Sequence, residues 1–252
     1  MLSDKPDSIN LQSLDEKLET LKEIGLDIVL IIPFDKEFSL MSAQMFADTV
    51  LKDLFNPTLI SVGTNHYFGH KKEGDFEFLK AFCSDNNIEL HTPVMREHMG
   101  STISSSLIRS LILDGNSSKV YDYLGRFYGF NATVVSGSNR GKTMNYPTAN
   151  FIPTFENQLL PSTGVYLTRV FLDGECYFGM MNAGVRPTFN EKKFVMEVHI
   201  LSDKFGNLYD KNFYIEFLDK IRDEKKFESK ELLIKQIEKD KEVCVELIDT
   251  FK

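Results

Sequence analysis

The spacing of apolar residues in the first half of the chain predicts helices that alternate with strands. Apolar residues recur every three or four positions from Leu11 to Ile24, which is typical of an amphipathic helix. The uninterrupted apolar run at 27–34 predicts a fully buried strand. By the same criteria, further elements are expected as helices at 42–55, 74–87 and 104–115 and as strands at 58–63 and 88–95.

Strands that are separated by helices imply parallel pairing with helices on both faces, as in doubly wound α/β sheets. The chain opens on a helix, and no strand precedes it. In such sheets the ligand sits at the carboxyl ends of the strands, where a first strand and its loop normally help to build the site. We therefore expect the α/β domain to be incomplete.

The pattern changes after about residue 122, where short alternating segments replace the helices. Six such segments without intervening helices predict a six-stranded antiparallel barrel, followed by a C-terminal helix from about Ser229. The strands are expected at 131–137, 148–153, 164–172, 176–184, 193–201 and 212–221. The expected domains are 1–122 (α/β) and 123–252 (barrel).

Composition excludes several classes of function. Hydrophobic residues make up 42% of the chain and charged residues 26%, as in an ordinary globular protein. The net charge of −8 argues against broad nucleic-acid or membrane surfaces, although a local loop or metal ion could still bind a small anion. The three cysteines form no paired motif, and we find no signal peptide or membrane span. These features indicate a cytoplasmic protein.

The stretch "MNYPTANF" places two short polar side chains, Thr148 and Asn150, at the start of an apolar run. In a strand, residues two apart face the same side. A hydroxyl and an amide oxygen on one face could be two hard ligands for Mg²⁺. The alternative is that both side chains only complete a turn after Pro147.

The stretch "GSNRGKT" resembles a phosphate-binding loop that contains Gly137, Gly141, Lys142 and Thr143. Only three residues separate the glycines, and Pro147 disfavours a helix after the loop, so the pattern argues against a Walker-type NTPase. Backbone N–H groups of such a loop can still hold a phosphate. A plain hairpin loop remains the alternative.

Two charged residues have both a structural and a functional interpretation. Glu197 alternates with apolar residues in "FVMEVHIL", so it lies either on a solvated strand face or in a cavity as a general base. Arg222 in "KIRDEKKF" belongs to a solvated connection or binds an anionic ligand.

Several motifs in this order resemble one family, the bacterial bifunctional riboflavin kinase/FAD synthetases. The resemblance covers essentially the whole chain and begins partway into the family's first domain. It is carried by "VVSGSNRGKTMNYPTANF", "PSTGVYL", "MNAGVRPTF", "MEVHIL" and "NLYDKNFYIEFLDKIRDEKKF".

The resemblance implies a riboflavin kinase, which transfers the γ-phosphate of ATP to the 5′-hydroxyl of riboflavin to give FMN. It implies that Thr148 and Asn150 ligate Mg²⁺, that Gly137–Thr143 covers the nucleotide, and that Glu197 is the general base. The segment "IRDEKKF", with Arg222, and the last helix would close over the flavin.

The chain departs from the family pattern in both halves. It has Asn145-Tyr146 where the family has Gly-Phe, a turn that Asn tolerates. The family's first strand and its ATP loop are absent, so we expect the FAD synthetase (FMN adenylyltransferase) part to be vestigial. Two alternatives stay open. The first is a bifunctional enzyme whose N-terminal segment is missing from this chain, or is supplied by another chain through an oligomer. The second is a non-catalytic flavin or nucleotide binder.

Overall fold

The chain forms two compact units, which do not divide it at a single point. Leu26–Thr102 forms one unit, and Ile103–Lys252 together with residues 9–25 forms the other. The domain boundary expected at 122/123 stays a prediction. The computed structural model describes residues 9–94, 96–137, 146–187, 192–202 and 211–252.

All the described α-helices except α5 begin at a residue whose side chain caps the helix. The side chains of Ser13, Ser42, Asp75, Ser104 and Ser229 each accept a hydrogen bond from a backbone N–H of the first turn. The helix α2 continues directly into π-helical turns (Ala47–Phe55). In chain order, the described helices are α1 (Leu14–Glu23), α2 (Ala43–Phe46), α3 (Phe76–Asp85), α4 (Ser105–Leu113), α5 (Ser117–Leu124) and α6 (Lys230–Ile248).

The strands fall into a short group and a long group. The first four have two or three residues each, whereas the last six have five to thirteen. They are β1 (Leu59–Ser61), β2 (Glu89–His91), β3 (Glu97–His98), β4 (Ser101–Thr102), β5 (Tyr128–Val135), β6 (Ala149–Pro153), β7 (Gly164–Leu172), β8 (Glu175–Pro187), β9 (Lys192–Ile200) and β10 (Asn212–Arg222).

The unit Leu26–Thr102 keeps part of the expected α/β pattern. The strands β1 and β2 pair in parallel, as strands separated by a helix should. The strands β3 and β4 form a separate antiparallel pair. A small core holds the unit together, and its fully buried members are Ala47, Leu79, Phe82 and Cys83.

The buried strand expected at 27–34 is wrong. This segment has no regular secondary structure, and its apolar side chains are exposed, with Ile28 at 75% and Phe34 at 66%. An apolar run becomes a strand only where a neighbouring strand satisfies its backbone groups. In the described part of this unit, β1 and β2 pair only with each other, so the segment has no such neighbour.

The second unit is built on the expected antiparallel barrel, which is confirmed. Its strands close in the order β10-β5-β6-β9-β8-β7. Alternate side chains point inward and form a core that includes Phe130, Tyr166 and Met181. A two-residue turn joins β7 to β8, where Asp173 and Gly174 both have positive φ, as this type of hairpin requires.

Several helices pack against the barrel from outside, among them α4, α5 and α6. The buried Cys244 of α6 lies in an apolar cluster with Leu218 and Met180 of the barrel. The helix α1 is fixed at its N-terminus, where Glu16 Oε1 accepts hydrogen bonds from Asn131 N (2.7 Å) and Nδ2 (3.0 Å) of β5. The first described helix therefore belongs to the barrel unit.

Candidate active site

One lateral row of residues crosses five strands of the barrel. In the β6–β9 pair Asn150 lies opposite Glu197, and in the β9–β8 pair Glu197 lies opposite Asn182. The row continues through Val165 of β7 to Arg222 of β10. Residues directly opposite each other project to the same face of a sheet. The register therefore brings Asn150, Glu197 and Arg222 to one end of the barrel, although they are distant in sequence.

A cavity of about 310 Å³ opens at this end of the barrel. Its volume is within the range of small-molecule sites, which is roughly 300–1,000 Å³. The expected residues Thr148, Glu197 and Arg222 line it. The barrel strands form one wall, and the loop after β10 together with α6 forms the other.

Glu197 is half-buried and lies on the cavity wall, as the cavity interpretation expects. The hydroxyl of Thr148 donates a hydrogen bond to Glu197 Oε2 at 3.2 Å. A carboxylate in this position can accept a proton from a hydroxyl group of a bound molecule. The structure thus places Thr148 next to the carboxylate that the sequence singled out.

Asn150 lies beneath the backbone of Gly137, and only 8% of its surface is exposed. A Cβ atom at position 137 would lie 2.0 Å from Asn150 Nδ2 and 2.5 Å from its Cγ. This close approach requires glycine. Among the described residues, no hydrogen bond to the Asn150 side chain is found, and Asn150 lies beside the cavity wall without lining it.

Arg222 is held by a buried carboxylate of α6. Its Nε donates to Asp240 Oδ1 at 2.9 Å, and its Nη2 donates to Oδ2 at 2.7 Å. Gln236 Nε2 also donates to Asp240 Oδ1, at 2.8 Å. This bidentate pair fixes the guanidinium group and joins α6 to the strand end. Arginine has five N–H donors, so a bound anion can still be contacted.

His199 and Tyr146 are among the residues of the cavity wall that were not expected as site residues from sequence. His199 lies two residues after Glu197 on β9, and its Nδ1 is 2.8 Å from the Pro147 carbonyl oxygen. The ring of Tyr146 packs edge-on against the imidazole, with 5.4 Å between ring centroids. The period of two along β9 could have identified His199, because residues 197 and 199 share a face.

The remaining expected residues, Gly141, Lys142 and Thr143, lie outside the described residues. The described residues contain no group of three or more His, Cys, Asp or Glu side chains that could hold a metal ion.

Comparison with known proteins places these features in a family. The riboflavin kinase family model matches residues 124–248, and the FAD synthetase model matches residues 1–107. The bifunctional riboflavin kinase/FMN adenylyltransferase of Haemophilus influenzae is 33% identical over 241 residues, which cover 93% of this chain and 75% of the relative. The chain belongs to the bifunctional riboflavin kinase/FMN adenylyltransferase family. Every candidate residue from Gly137 to Arg222 falls within the riboflavin kinase match.

Two further similarities extend the comparison. The family member from Listeria monocytogenes is 33% identical over 233 residues, which cover 92% of this chain and 73% of that protein. A crystal structure from Streptococcus pneumoniae, described as a macrolide-efflux protein, superposes with a TM-score of 0.84 at 31% identity. The match covers 93% of this chain and 75% of that one. Among the described residues of this riboflavin kinase family member, no helix combines the length and apolar character needed to cross a membrane.

Proposed function

We propose that this chain is a riboflavin kinase, which transfers the γ-phosphate of ATP to the 5′-hydroxyl of riboflavin and releases FMN and ADP. One observation carries the proposal. The carboxylate of Glu197 lines a ligand-sized cavity beside Thr148 and opposite Asn150, within the residues that match the riboflavin kinase model. This arrangement offers a base and two oxygen donors at one point, which phosphoryl transfer needs.

In this mechanism Glu197 accepts the proton of the riboflavin 5′-hydroxyl while the 5′-oxygen of riboflavin attacks the γ-phosphorus of ATP. The attack breaks the bond between the γ-phosphorus and the β–γ bridging oxygen, and ADP leaves. The hydrogen bond from Thr148 orients the carboxylate before the proton moves. Phosphoryl transfer asks little covalent chemistry of the protein, so positioning of these groups supplies most of the catalysis.

Thr148 and Asn150 would hold Mg²⁺ through their side-chain oxygens. A hydroxyl and an amide oxygen suit this hard cation, and the register that places Asn150 opposite Glu197 supports this role. When bound, the ion supplies charge neutralisation on the phosphates. Gly137, Gly141, Lys142 and Thr143 would cover the nucleotide, and Arg222 would contact an anionic group of the ligand.

The apolar part of the cavity suits the flavin ring. Planar aromatic ligands bind between hydrophobic side chains, while a few polar groups fix their orientation. One wall comes from the barrel and the other from the loop after β10 and α6, so the ring system would lie between them. The apolar lining residues are Val165, Met180, Met181, Phe227, Leu233 and Ile237.

The test incubates the protein with riboflavin, ATP and Mg²⁺ and separates riboflavin, FMN and FAD. We expect FMN to form in equal amount to ADP. Correctly folded protein that makes no FMN, yet binds riboflavin and ATP, would instead support a non-catalytic binder. Since a part of the chain matches the FAD synthetase model, the same assay with FMN, ATP and Mg²⁺ follows pyrophosphate release.

We expect little FAD in that second assay. In the described part of Leu26–Thr102, the parallel sheet has only the short strands β1 and β2. Adenylyl transfer needs several donors aimed at the α-phosphate, and removal of one such donor costs about 10²–10³-fold. Robust FAD formation with stoichiometric pyrophosphate would contradict this expectation and establish a bifunctional enzyme. The same alternative includes an oligomer in which another chain completes the adenylyltransferase site of this unit.

The three cysteines of the chain bear on the cellular compartment in which the reaction takes place. Cys83, Cys176 and Cys244 are free thiols, two of them buried, which suits a reducing compartment. We therefore propose that the kinase acts in the cytoplasm, with riboflavin and ATP as its ligands.

Replacement of Gly137 by alanine is expected to lower kinase turnover about 10²-fold, because the new methyl group must displace the Asn150 amide. The measurement is the rate of FMN formation over a range of ATP concentrations. Gly63→Ala is the matched control, since a Cβ at that position meets nothing within 4 Å. Equal activity of both variants would show that Asn150 needs no fixed position.

A further inference from the structure

The backbone pairing between β6 and β9 ends at the N-terminus of β6, before Thr148 and Pro147. Its last pair at that end is Ala149 with Val198, and Pro147 has no N–H to continue it. Beyond the last pair, the side chain of His199 forms the hydrogen bond between the two strands, because its Nδ1 lies 2.8 Å from the Pro147 carbonyl oxygen. A side-chain hydrogen bond thus holds the backbone immediately before Thr148.

The partner of this hydrogen bond fixes the proton on the imidazole. A carbonyl oxygen can only accept, so Nδ1 carries the proton and donates it. Burial lowers the pKa of His199, the nearby Lys241 lowers it further, and the Pro147 carbonyl opposes both. Burial and Lys241 thus favour the neutral ring, whose Nδ1–H group donates to the Pro147 carbonyl.

The ring is also held from its other side. Tyr146 contacts it edge-on, at 73° between the ring planes, and Lys241 Nζ of α6 lies 6.0 Å from the centre of the Tyr146 ring. These contacts connect β9 to α6 through the residue that precedes Pro147. They limit the rotation of His199 and keep Nδ1 directed at the carbonyl oxygen.

We propose that His199 is a positioning residue for phosphoryl transfer, which holds the Pro147 carbonyl so that Thr148 and Asn150 present their oxygens to the magnesium-bound phosphates of ATP. This inference rests on the proposed kinase function. It assigns His199 no contact with the reacting atoms. Its effect passes through the backbone, and it should therefore appear in the use of Mg²⁺-ATP and leave the affinity for riboflavin unchanged.

Three substitutions separate the hydrogen bond from the bulk of the ring. In His199→Asn the amide nitrogen is attached to Cγ, as Nδ1 is, so the donor is kept. His199→Gln moves the amide nitrogen to the position of Nε2, and His199→Leu removes the donor. We expect the Gln and Leu variants to lose about tenfold in kcat/KM for Mg²⁺-ATP, which is the effect of about one hydrogen bond, mainly through KM. The Asn variant should stay within about threefold of wild type.

The measurements are FMN formation against ATP concentration at fixed Mg²⁺, ATP–Mg²⁺ binding by calorimetry, and riboflavin binding by quenching of its fluorescence. Thermal unfolding shows whether each variant is folded, and the Asn and Gln variants decide the outcome if the Leu variant is not. Equal activity of all variants and wild type would overturn the proposal, as would an equal loss in all three. A loss that appears in riboflavin affinity would also overturn it.

The wild-type control separates this inference from the function on which it rests. If wild type binds Mg²⁺-ATP but forms no FMN, the kinase proposal fails, and the calorimetric comparison of the variants still decides the role of His199. If wild type neither binds Mg²⁺-ATP nor forms FMN, both proposals fall together.

Discussion

Replacement of Glu197 by glutamine is expected to lower the rate of FMN formation by about 10²–10⁴-fold, the usual contribution of a general base. Glutamine keeps the size of the side chain and can still accept the hydrogen bond from Thr148, which spans 3.2 Å. It has no basic oxygen that could take the proton of the riboflavin hydroxyl. The loss should therefore appear in kcat, while KM for ATP and for riboflavin changes little.

The matched control is Glu175→Gln, which removes an exposed carboxylate at the start of β8, outside the cavity. Its turnover should equal that of wild type. Thermal unfolding of both variants should occur within a few degrees of the wild-type midpoint, since neither substitution changes the volume of the side chain. Near wild-type turnover of Glu197→Gln would refute the assignment of Glu197 as the base.

The variants Thr148→Val and Asn150→Leu are each expected to raise the Mg²⁺ concentration for half-maximal turnover by about 10–100-fold or more. Even a residue that only donates or accepts a hydrogen bond to a metal ligand contributes this much to metal affinity. Both substitutions remove an oxygen donor and keep the side chain's approximate size. Riboflavin affinity should be unchanged, because the apolar walls of the cavity remain. FMN formation measured over a Mg²⁺ titration, with saturating riboflavin, gives the result.

Thr148→Ser is the control for the first of these variants, because it keeps the hydroxyl group and removes only a methyl group. It should respond to Mg²⁺ almost as wild type does. An unchanged Mg²⁺ response in Thr148→Val and in Asn150→Leu would leave only the interpretation in which both side chains complete a turn after Pro147.

The barrel could be predicted from sequence because its signals are local. Six alternating segments, with turn residues such as Asp173-Gly174 between them, specify short antiparallel strands without information about distant partners. The run at 27–34 carried an equally strong apolar signal and gave a wrong prediction. Whether such a run becomes a strand depends on a neighbouring strand, and the composition of the run does not contain that information.

Only the part of the candidate site that depends on local spacing could be predicted from sequence. Spacing indicated that Thr148 and Asn150 share a face, but only the register of β6 against β9 places Asn150 opposite Glu197. Neither the pairing of Arg222 with Asp240 nor the closeness of His199 to Pro147 leaves a sequence signal, because 18 and 52 residues separate the partners. Contacts of this kind are decided by tertiary packing.

The docking of α1 on β5 has a consequence for the synthesis of the chain. Glu16 emerges from the ribosome first, but its partner Asn131 follows 115 residues later. At roughly 5–20 residues per second, the helix waits on the order of ten seconds for the strand that receives it. During that time the whole of Leu26–Thr102 is synthesised, and the Glu16 carboxylate stays without its partner on β5. The contact that joins α1 to the barrel therefore forms only after translation has passed the unit Leu26–Thr102.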